Sequence, residues 1–360
     1  MNKIANRIKD TATSVRTKIQ KHGKPTLSFP LRSLSNVTYQ PKRGFLQLKG
    51  KKKTRTLTVA TVKTFAQTLR MMSTAKTLVE DDEIMTKREA YYVSKNWDDA
   101  RFDEQPESDT VLDDIEALFE VNREQLGFIP EEKGGEIAGQ LVVIDRQPDT
   151  GKPLRIDCTQ FGSGAYSIPI SVEHLKFETK AKFILAIETA GMFQRLVKHS
   201  YWRKANCILV SMGGVPTRAC RRFIRRLADE LKLPVYAFVD CDPYGMFNIY
   251  RTLKVGSGNA AHINRYFCVP NARFLGVTPQ DIIDYKLPTH PLKEVDIKRA
   301  KDALKNDPFV RHYKSWQDSI TQLLNMGVRA EQQAFAVHDL NYVIEHYLPE
   351  KLRAKKAFLP

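Results

Sequence analysis

The 360-residue sequence is poor in cysteine, and the five it has, Cys158, Cys207, Cys220, Cys241 and Cys268, make no C-x-x-C pair. An odd, scattered set argues against a disulfide framework or a zinc site of the usual spacing. No apolar run reaches the ~18 residues that a membrane span needs, so no membrane anchoring is expected. The basic stretch Met1 to Lys9 lacks the apolar core and small-residue cleavage site of a secretory signal, which predicts a cytoplasmic chain. No G-x-x-x-x-G-K-[ST] occurs, and Gly256-Ser257-Gly258 follows no obvious strand, so ATP binding by this chain is not expected. The histidines make no H-x-x-x-H pattern, and no G-x-S-x-G elbow offers a serine nucleophile.

Acidic residues are scarce at one end only. Residues 1–60 hold fifteen Lys or Arg against one acid, Asp10, so +14 of the formal net charge of +16 lies there. Lys51-Lys52-Lys53 and Arg55 close this region. Such a segment suits phosphate backbones, whose neutralisation releases counterions, and it equally suits a solvated tail.

The length favours two domains plus an extension. Thr61 to Glu80 has Val62, Phe65, Ala66, Leu69 and Met72 at helical spacing, and Met71 and Met72 read as core. Thr86-Lys87-Arg88-Glu89 has the T-x-x-E form of a capping box and predicts a second helix through Tyr91, Tyr92 and Val93. A third is expected from Thr110 to Gln125, with Gly127 as its C-cap glycine. Gly134 to Asp145 reads as a strand pair, and three helices with a β wing suggest a winged-helix, CAP-like DNA-binding domain. Pro148 to Pro153 is a turn-rich break, after which the composition changes. Strands at Phe183–Ile187, Cys207–Val210 and Val235–Val239 then alternate with helices at Gly191–Lys198 and Thr217–Leu231. This is the pattern of a mostly parallel sheet covered by helices. The division is therefore a basic extension (1–60), a winged-helix domain (61–150), an α/β domain (151–296) and a helical C-terminal part (297–360).

Two strands run into acid. Phe183 to Ile187 leads to Glu188, and Val235 to Val239 leads to Asp240-Cys241-Asp242. Parallel sheets place chemistry at these carboxyl ends. In an extended chain Asp240 and Asp242 point the same way, and Glu188 joins from a neighbouring strand. Three carboxylates repel, and a magnesium ion, which takes a few carboxylates and keeps waters for a phosphate, resolves the repulsion. The bland reading of Asp242-Pro243-Tyr244-Gly245 is a turn. Arg218, Arg221, Arg222, Arg225 and Arg226 crowd one helix, either as a face for nucleic acid or as a solvated face paired with Asp229 and Glu230. Taken alone, Tyr92 would be read as a buried structural tyrosine.

The run Thr86-Lys87-Arg88-Glu89-Ala90-Tyr91-Tyr92 resembles the active-site segment of the A subunit of topoisomerase VI and of its relatives, the meiotic double-strand-break transesterases. Ala186-Ile187-Glu188 and Val239-Asp240-Cys241-Asp242-Pro243-Tyr244-Gly245 are similar to the two acidic motifs of that family's Toprim domain. Gly214-Val215-Pro216 with Arg218 and Arg221-Arg222-Phe223 is similar to its glycine-proline loop and arginine helix. The resemblance spans roughly residues 57–290, with no departure at the expected catalytic positions.

The resemblance implies that Tyr92 is a nucleophile forming a 5′-phosphotyrosyl link to DNA, with Glu188, Asp240 and Asp242 binding Mg²⁺ in a Toprim domain on which the C-terminal part packs. A phenol with pKa ~10 needs help at neutral pH. Arg88, at i−4 on the same helix face, is the preferred helper, its alternative being a surface cation paired with an acid. Tyr91 points elsewhere, to pack or to contact backbone. The resemblance further implies a homodimer that cuts both strands of double-stranded DNA, each tyrosine working with the partner's metal site. It implies an A2B2 heterotetramer with a GHKL-type ATPase B subunit that binds the ATP, and a nucleoid-associated, ATP-hydrolysing type II DNA topoisomerase. Three other readings stay open: a stand-alone double-strand-break transesterase, a Toprim metal-dependent nuclease or primase-like enzyme, and a non-enzymatic DNA binder.

Overall fold

The computed structural model describes residues 3–130, 134–258, 260–354 and 358–360. The chain divides into two compact units. The first takes Met1–Thr38, Leu46–Glu132 and Gly258–Tyr266, and the second takes Tyr39–Phe45, Lys133–Ser257 and Phe267–Pro360.

In the first unit the basic N-terminal region is folded. Its helix α1 (Lys3–Gln20) is followed by the strands β1 (Thr26–Pro30), β2 (Val37–Gln40), β3 (Phe45–Leu48) and β4 (Lys52–Thr56), although the end of β2, the start of β3 and the turn between them, Tyr39–Phe45, count with the second unit. β1 and β4 pair antiparallel, Thr26 opposite Thr56 and Pro30 opposite Lys52. Alternation along β1 buries Leu27 and Phe29 on one face, where they meet Val15 of α1 and Phe65. Next come α2 (Val62–Asp81), β5 (Met85–Thr86), α3 (Lys87–Val93), α4 (Gln105–Phe119) and β6 (Phe128–Ile129), with β5 and β6 parallel. Ile8, Met71, Met72, Leu112, Ile115 and Phe128 are among the residues of one buried cluster, which makes both methionines core.

The third helix starts and ends earlier than its periodicity suggested. Pro106 in the first turn begins it, and Glu120, in the left-handed conformation at φ 51°, ends it. Gly127, at φ 84°, closes a separate short 3-10 turn, Arg123–Leu126.

In the second unit, the strand pair expected between Gly134 and Asp145 is not a pair. β7 (Glu136–Gly139) and β8 (Leu141–Arg146) lie in different sheets. Only Gln140 separates them, one residue fewer than the shortest common hairpin loop. β8 instead sits between β9 (Pro153–Asp157) and β11 (Lys176–Thr179), antiparallel to both. The turn-rich break is thus the hairpin connection from β8 to β9, residues 147–152, with Pro153 already paired to Arg146. β7 joins a six-stranded sheet with β10 (Tyr166–Ser167), β12 (Phe183–Ile187), β13 (Cys207–Ser211), β14 (Val235–Phe238) and β15 (Ala272–Gly276), in the order β10-β7-β13-β12-β14-β15. β13, β12, β14 and β15 are parallel, and β7 alone runs antiparallel to both its neighbours, β13 and β10.

The helix α5 (Ala190–Lys198), then α6 (Tyr201–Ala205), leads from β12 to β13. α7 (Arg218–Glu230) leads from β13 across to β14. The strand order therefore reverses between β12 and β14, and such a switch point opens a crevice at the strands' carboxyl ends. Every residue of β12, β13 and β14 is buried, as apolar runs covered on both faces require. The rest of the unit is mainly helical, and Trp316 from this region stacks on Tyr250 at 5.5 Å. All five cysteines are buried free thiols.

Among the described residues no helix is long and apolar enough to cross a membrane. Ile115, fully buried in the core of the first unit, is a sharp probe of that core. Ile115→Ala is expected to cost about 3 kcal/mol in urea unfolding, through lost burial and the cavity left behind.

Candidate functional site: an acidic strand-end cluster and an exposed tyrosine

The acidic cluster forms at the switch point of the second unit. Glu188 follows β12 and Asp240 follows β14, two adjacent strands. The backbone N–H of Glu188 donates to the carbonyl of Phe238 at 3.0 Å, and the N–H of Asp240 donates to Glu188 Oε2 at 2.8 Å. Asp240 Oδ1 accepts from the N–H of Gln332 at 2.8 Å. Asp242 Oδ1 accepts from the N–H of Gly245 at 2.6 Å, the turn expected from sequence, while its Oδ2 lies 3.6 Å from Arg329 Nη1. The turn and the charged site are one arrangement.

Glu188 and Asp240 are both held above the usual carboxylate range. Burial is the main cause for each. Glu188 is pushed further by the charges of Asp240, Asp242 and Glu331, and partly restored by the Asp240 N–H. For Asp240 the Gln332 N–H and Arg329 oppose the rise, and Asp242 and Glu331 add to it. An all-oxygen donor set that resists full ionisation on its own fits a hard divalent cation.

Glycines shape the cluster. A Cβ on Gly245 would lie 2.8 Å from Val239 Cγ1, 2.9 Å from the Asp240 carbonyl and 3.2 Å from Glu188 Oε2. The loop after β13 turns through Gly213 (φ 65°) and Gly214 (φ 89°), and the Gly214 N–H donates to the Glu188 carbonyl at 3.0 Å.

The arginine helix is engaged internally. Arg222 pairs with Glu173 at 2.6 Å, Arg225 with Asp229 at 2.5 Å and Arg226 with Glu230 at 2.6 Å. Arg226 also donates to the carbonyls of Val172 and Leu175, and Arg218 and Arg221 lie over the ring of Phe267. Asp229 and Glu230 are thus the partners of Arg225 and Arg226.

In the first unit, the Thr86 hydroxyl accepts from the Glu89 N–H at 3.1 Å, and Glu89 Oε2 accepts from the Thr86 N–H at 2.7 Å. This completed capping box fixes the start of α3. Two turns on, Tyr92 is 56% exposed, against the buried position a lone tyrosine would suggest. Tyr91 is half-buried, donates to the Asp103 carbonyl at 3.0 Å and carries Lys95 over its ring. Lys87 is taken by Asp109 at 2.6 Å. Arg88, one turn before Tyr92, is exposed and makes no ion pair among the described residues.

The tightest metal-like grouping among the described residues is elsewhere. Ligand atoms of Asp113, Glu116 and His262, all in the first unit, lie within 4.8 Å of one another. Yet Glu116 accepts from the Arg123 N–H at 2.6 Å and from its guanidinium at 3.1 Å. Asp113 lies between Arg123 at 2.8 Å and Arg32 at 3.0 Å. A dication would have to displace guanidinium cations already bound to these oxygens, so this is a charge-compensated structural cluster.

Sequence reasoning missed the segment Arg329 to Gln332. It reaches the acidic cluster because Ala330 bridges Cys241 across nearly ninety residues of chain, a pairing with no local signal.

Three family matches tile most of the chain. Residues 63–128 match "Type IIB DNA topoisomerase", 131–181 match the all-beta domain in DNA topoisomerase VI alpha subunit, and 183–352 match the Toprim domain of the A subunit of topoisomerase 6 and of Spo11. Relatives named as the A subunit of type 2 DNA topoisomerase 6 span nearly the whole sequence. That of Methanocaldococcus jannaschii is 56% identical over 342 residues, covering 95% of this chain and 92% of its own. Those of Methanothermobacter thermautotrophicus and Haloarcula marismortui are 38% and 34% identical, covering 92% and 91% of this chain and 91% and 89% of their own. The chain belongs to the family of type 2 DNA topoisomerase 6 A subunits, the catalytic subunits of type IIB topoisomerases.

Two outcomes test the cluster. Because Glu188 and Asp240 have raised pKa values in the fold, their contribution to stability is present at low pH and is lost as pH rises through those values. Divalent cations bind the ionised form, so the Mg²⁺-induced rise in melting temperature should be larger at pH 8 than at pH 5. Gly245→Ala should lower stability by about 2 kcal/mol through overpacking, and calorimetric titration should show it binding Mg²⁺ more weakly than wild type.

Proposed function

We propose that this chain is the DNA-cleaving and rejoining subunit of an ATP-dependent type IIB topoisomerase, with Tyr92 as nucleophile. The observation that carries the reading is the exposure of Tyr92 on a short, firmly capped helix. An exposed phenol at the surface of a capped helix can reach a DNA phosphodiester, which a buried structural tyrosine could not.

In the cleavage step, Tyr92 Oη attacks a backbone phosphorus, a phenolic O–P bond forms, and the P–O3′ bond breaks. The 3′ oxygen takes a proton, and the phenolic proton passes to solvent or a nearby base. The product is a 5′-phosphotyrosyl link that keeps the bond energy, so reversal rejoins the strand without a cofactor. Arg88, rather than Lys87, which is already paired with Asp109, would stabilise phenolate and phosphorane charge. Glu188, Asp240 and Asp242 would hold Mg²⁺, which supplies positive charge at the phosphate undergoing exchange.

The first unit serves as a winged-helix-like, CAP-like DNA-binding domain built on α2, α3 and α4. Its basic strand edge is β4, where Lys52 and Lys53 are exposed, in place of a wing at 134–145. Double-stranded DNA is the substrate. Two copies act as a homodimer, the tyrosine of one with the carboxylates of the other, and an ATP-binding GHKL-type B subunit completes an A2B2 assembly in the cytoplasm at the nucleoid. The family membership supports these partners.

The test incubates the chain, with and without a candidate B subunit, ATP and Mg²⁺, on end-labelled supercoiled DNA, followed by detergent trapping. Protein attached to 5′ ends is expected with the native chain and is expected to vanish in Tyr92→Phe and Asp240→Ala. Cleavage that survives Tyr92→Phe with free ends would instead identify a metal-dependent nuclease. Strand breaks without any need for B subunit or ATP would favour a stand-alone transesterase.

A further inference from the structure

Gln332 is fully buried, and three of its polar groups reach three points of the acidic site. Its backbone N–H donates to Asp240 Oδ1 at 2.8 Å. Its side-chain nitrogen donates to the carbonyl of Phe238 at 2.7 Å, and its side-chain oxygen accepts from the Thr189 hydroxyl at 2.8 Å. The amide orientation is set by chemistry, because a carbonyl can only accept. Phe238 is the last residue of β14 and Thr189 directly follows Glu188. One side chain therefore ties the end of β14 to the residue after Glu188, and the same residue's backbone fixes the direction of Asp240.

The choice of glutamine is informative. The carboxylates repel and tend to splay apart, and a lysine here would oppose them with a charge that competes with a metal ion. A glutamate would add a further negative charge and set oxygen against the Phe238 carbonyl. Glutamine offers one donor and one acceptor with no charge. The geometry points to Gln332 as a positioning residue of the divalent-cation site, setting the spacing of the Glu188 and Asp240 carboxylates that an ion reads. This rests on the metal-binding reading of that cluster.

The test measures Mn²⁺ binding to the full chain by electron paramagnetic resonance, alongside thermal unfolding, for wild type, Gln332→Met, Gln332→Glu and Asp240→Ala. Gln332→Met keeps the volume and the backbone bond to Asp240 while deleting both side-chain bonds. Its Mn²⁺ affinity is expected to fall about tenfold, the usual scale for a residue that orients a metal's ligands. Gln332→Glu is expected to rescue less than its shape suggests, because it loses the donor to Phe238. DNA cleavage by Gln332→Met should recover at high Mn²⁺ with an unchanged maximal rate. Unaltered Mn²⁺ affinity in Gln332→Met, with only a lower melting temperature, would overturn the proposal and leave Gln332 a structural staple. If wild type and Asp240→Ala bind Mn²⁺ equally poorly, the metal reading itself falls, and this proposal with it.

Discussion

Carboxylates held close together in poorly solvated surroundings repel one another, and much of the second unit serves to keep Glu188 and Asp240 in that condition. Adjacent parallel strands deliver them side by side at the point where the strand order reverses. Backbone N–H groups of Asp240, Gly245 and Gln332 hold the oxygens of Glu188, Asp242 and Asp240. Arg329 offers a distant counter-charge at 3.6 Å from Asp242, too long for a tight pair. Neutral donors fix the geometry without setting a close cation against the carboxylates. An arrangement of this kind is poor at stabilising the fold alone and good at receiving a cation.

The contrast with the first unit is instructive. There Asp113, Asp114 and Glu116 also crowd together, but Arg32, Arg55 and Arg123 meet them with guanidinium groups at 2.8 to 3.1 Å. Full compensation turns an acidic cluster into scaffold. The basic residues of the N-terminal region are divided in the same way: Arg32 and Arg55 are spent inside, while Lys51, Lys52 and Lys53 remain exposed. Net charge alone could not separate the two groups.

Sequence reading located what local pattern encodes. The capping box at Thr86, the apolar strands running into Glu188 and Asp240, and the core methionines of α2 all follow from spacing. What it lost was long-range. The apolar run at 141–144 looked like half of a hairpin with its neighbour, but β7 finds its partner in β13, some seventy residues on. The helical spacing of Arg222 revealed a face but not Glu173, which occupies it from forty-nine residues away. Gln332 carried no local mark at all, since a buried glutamine and a surface glutamine are written identically.

The five thiols lead to a practical consequence. All are buried, and burial pushes Cys158, Cys220 and Cys268 up to about 12 and raises Cys207 and Cys241 well above the ordinary range. Thiolate, the form that reacts with maleimides and methanethiosulfonates, is scarce in such surroundings. The native chain is therefore close to a chemically silent background for labelling. A cysteine introduced at an exposed position in each unit would be nearly the only site to take up a fluorophore or spin label. Distances between the units, and their change during a catalytic cycle, then become measurable without first stripping out the natural cysteines.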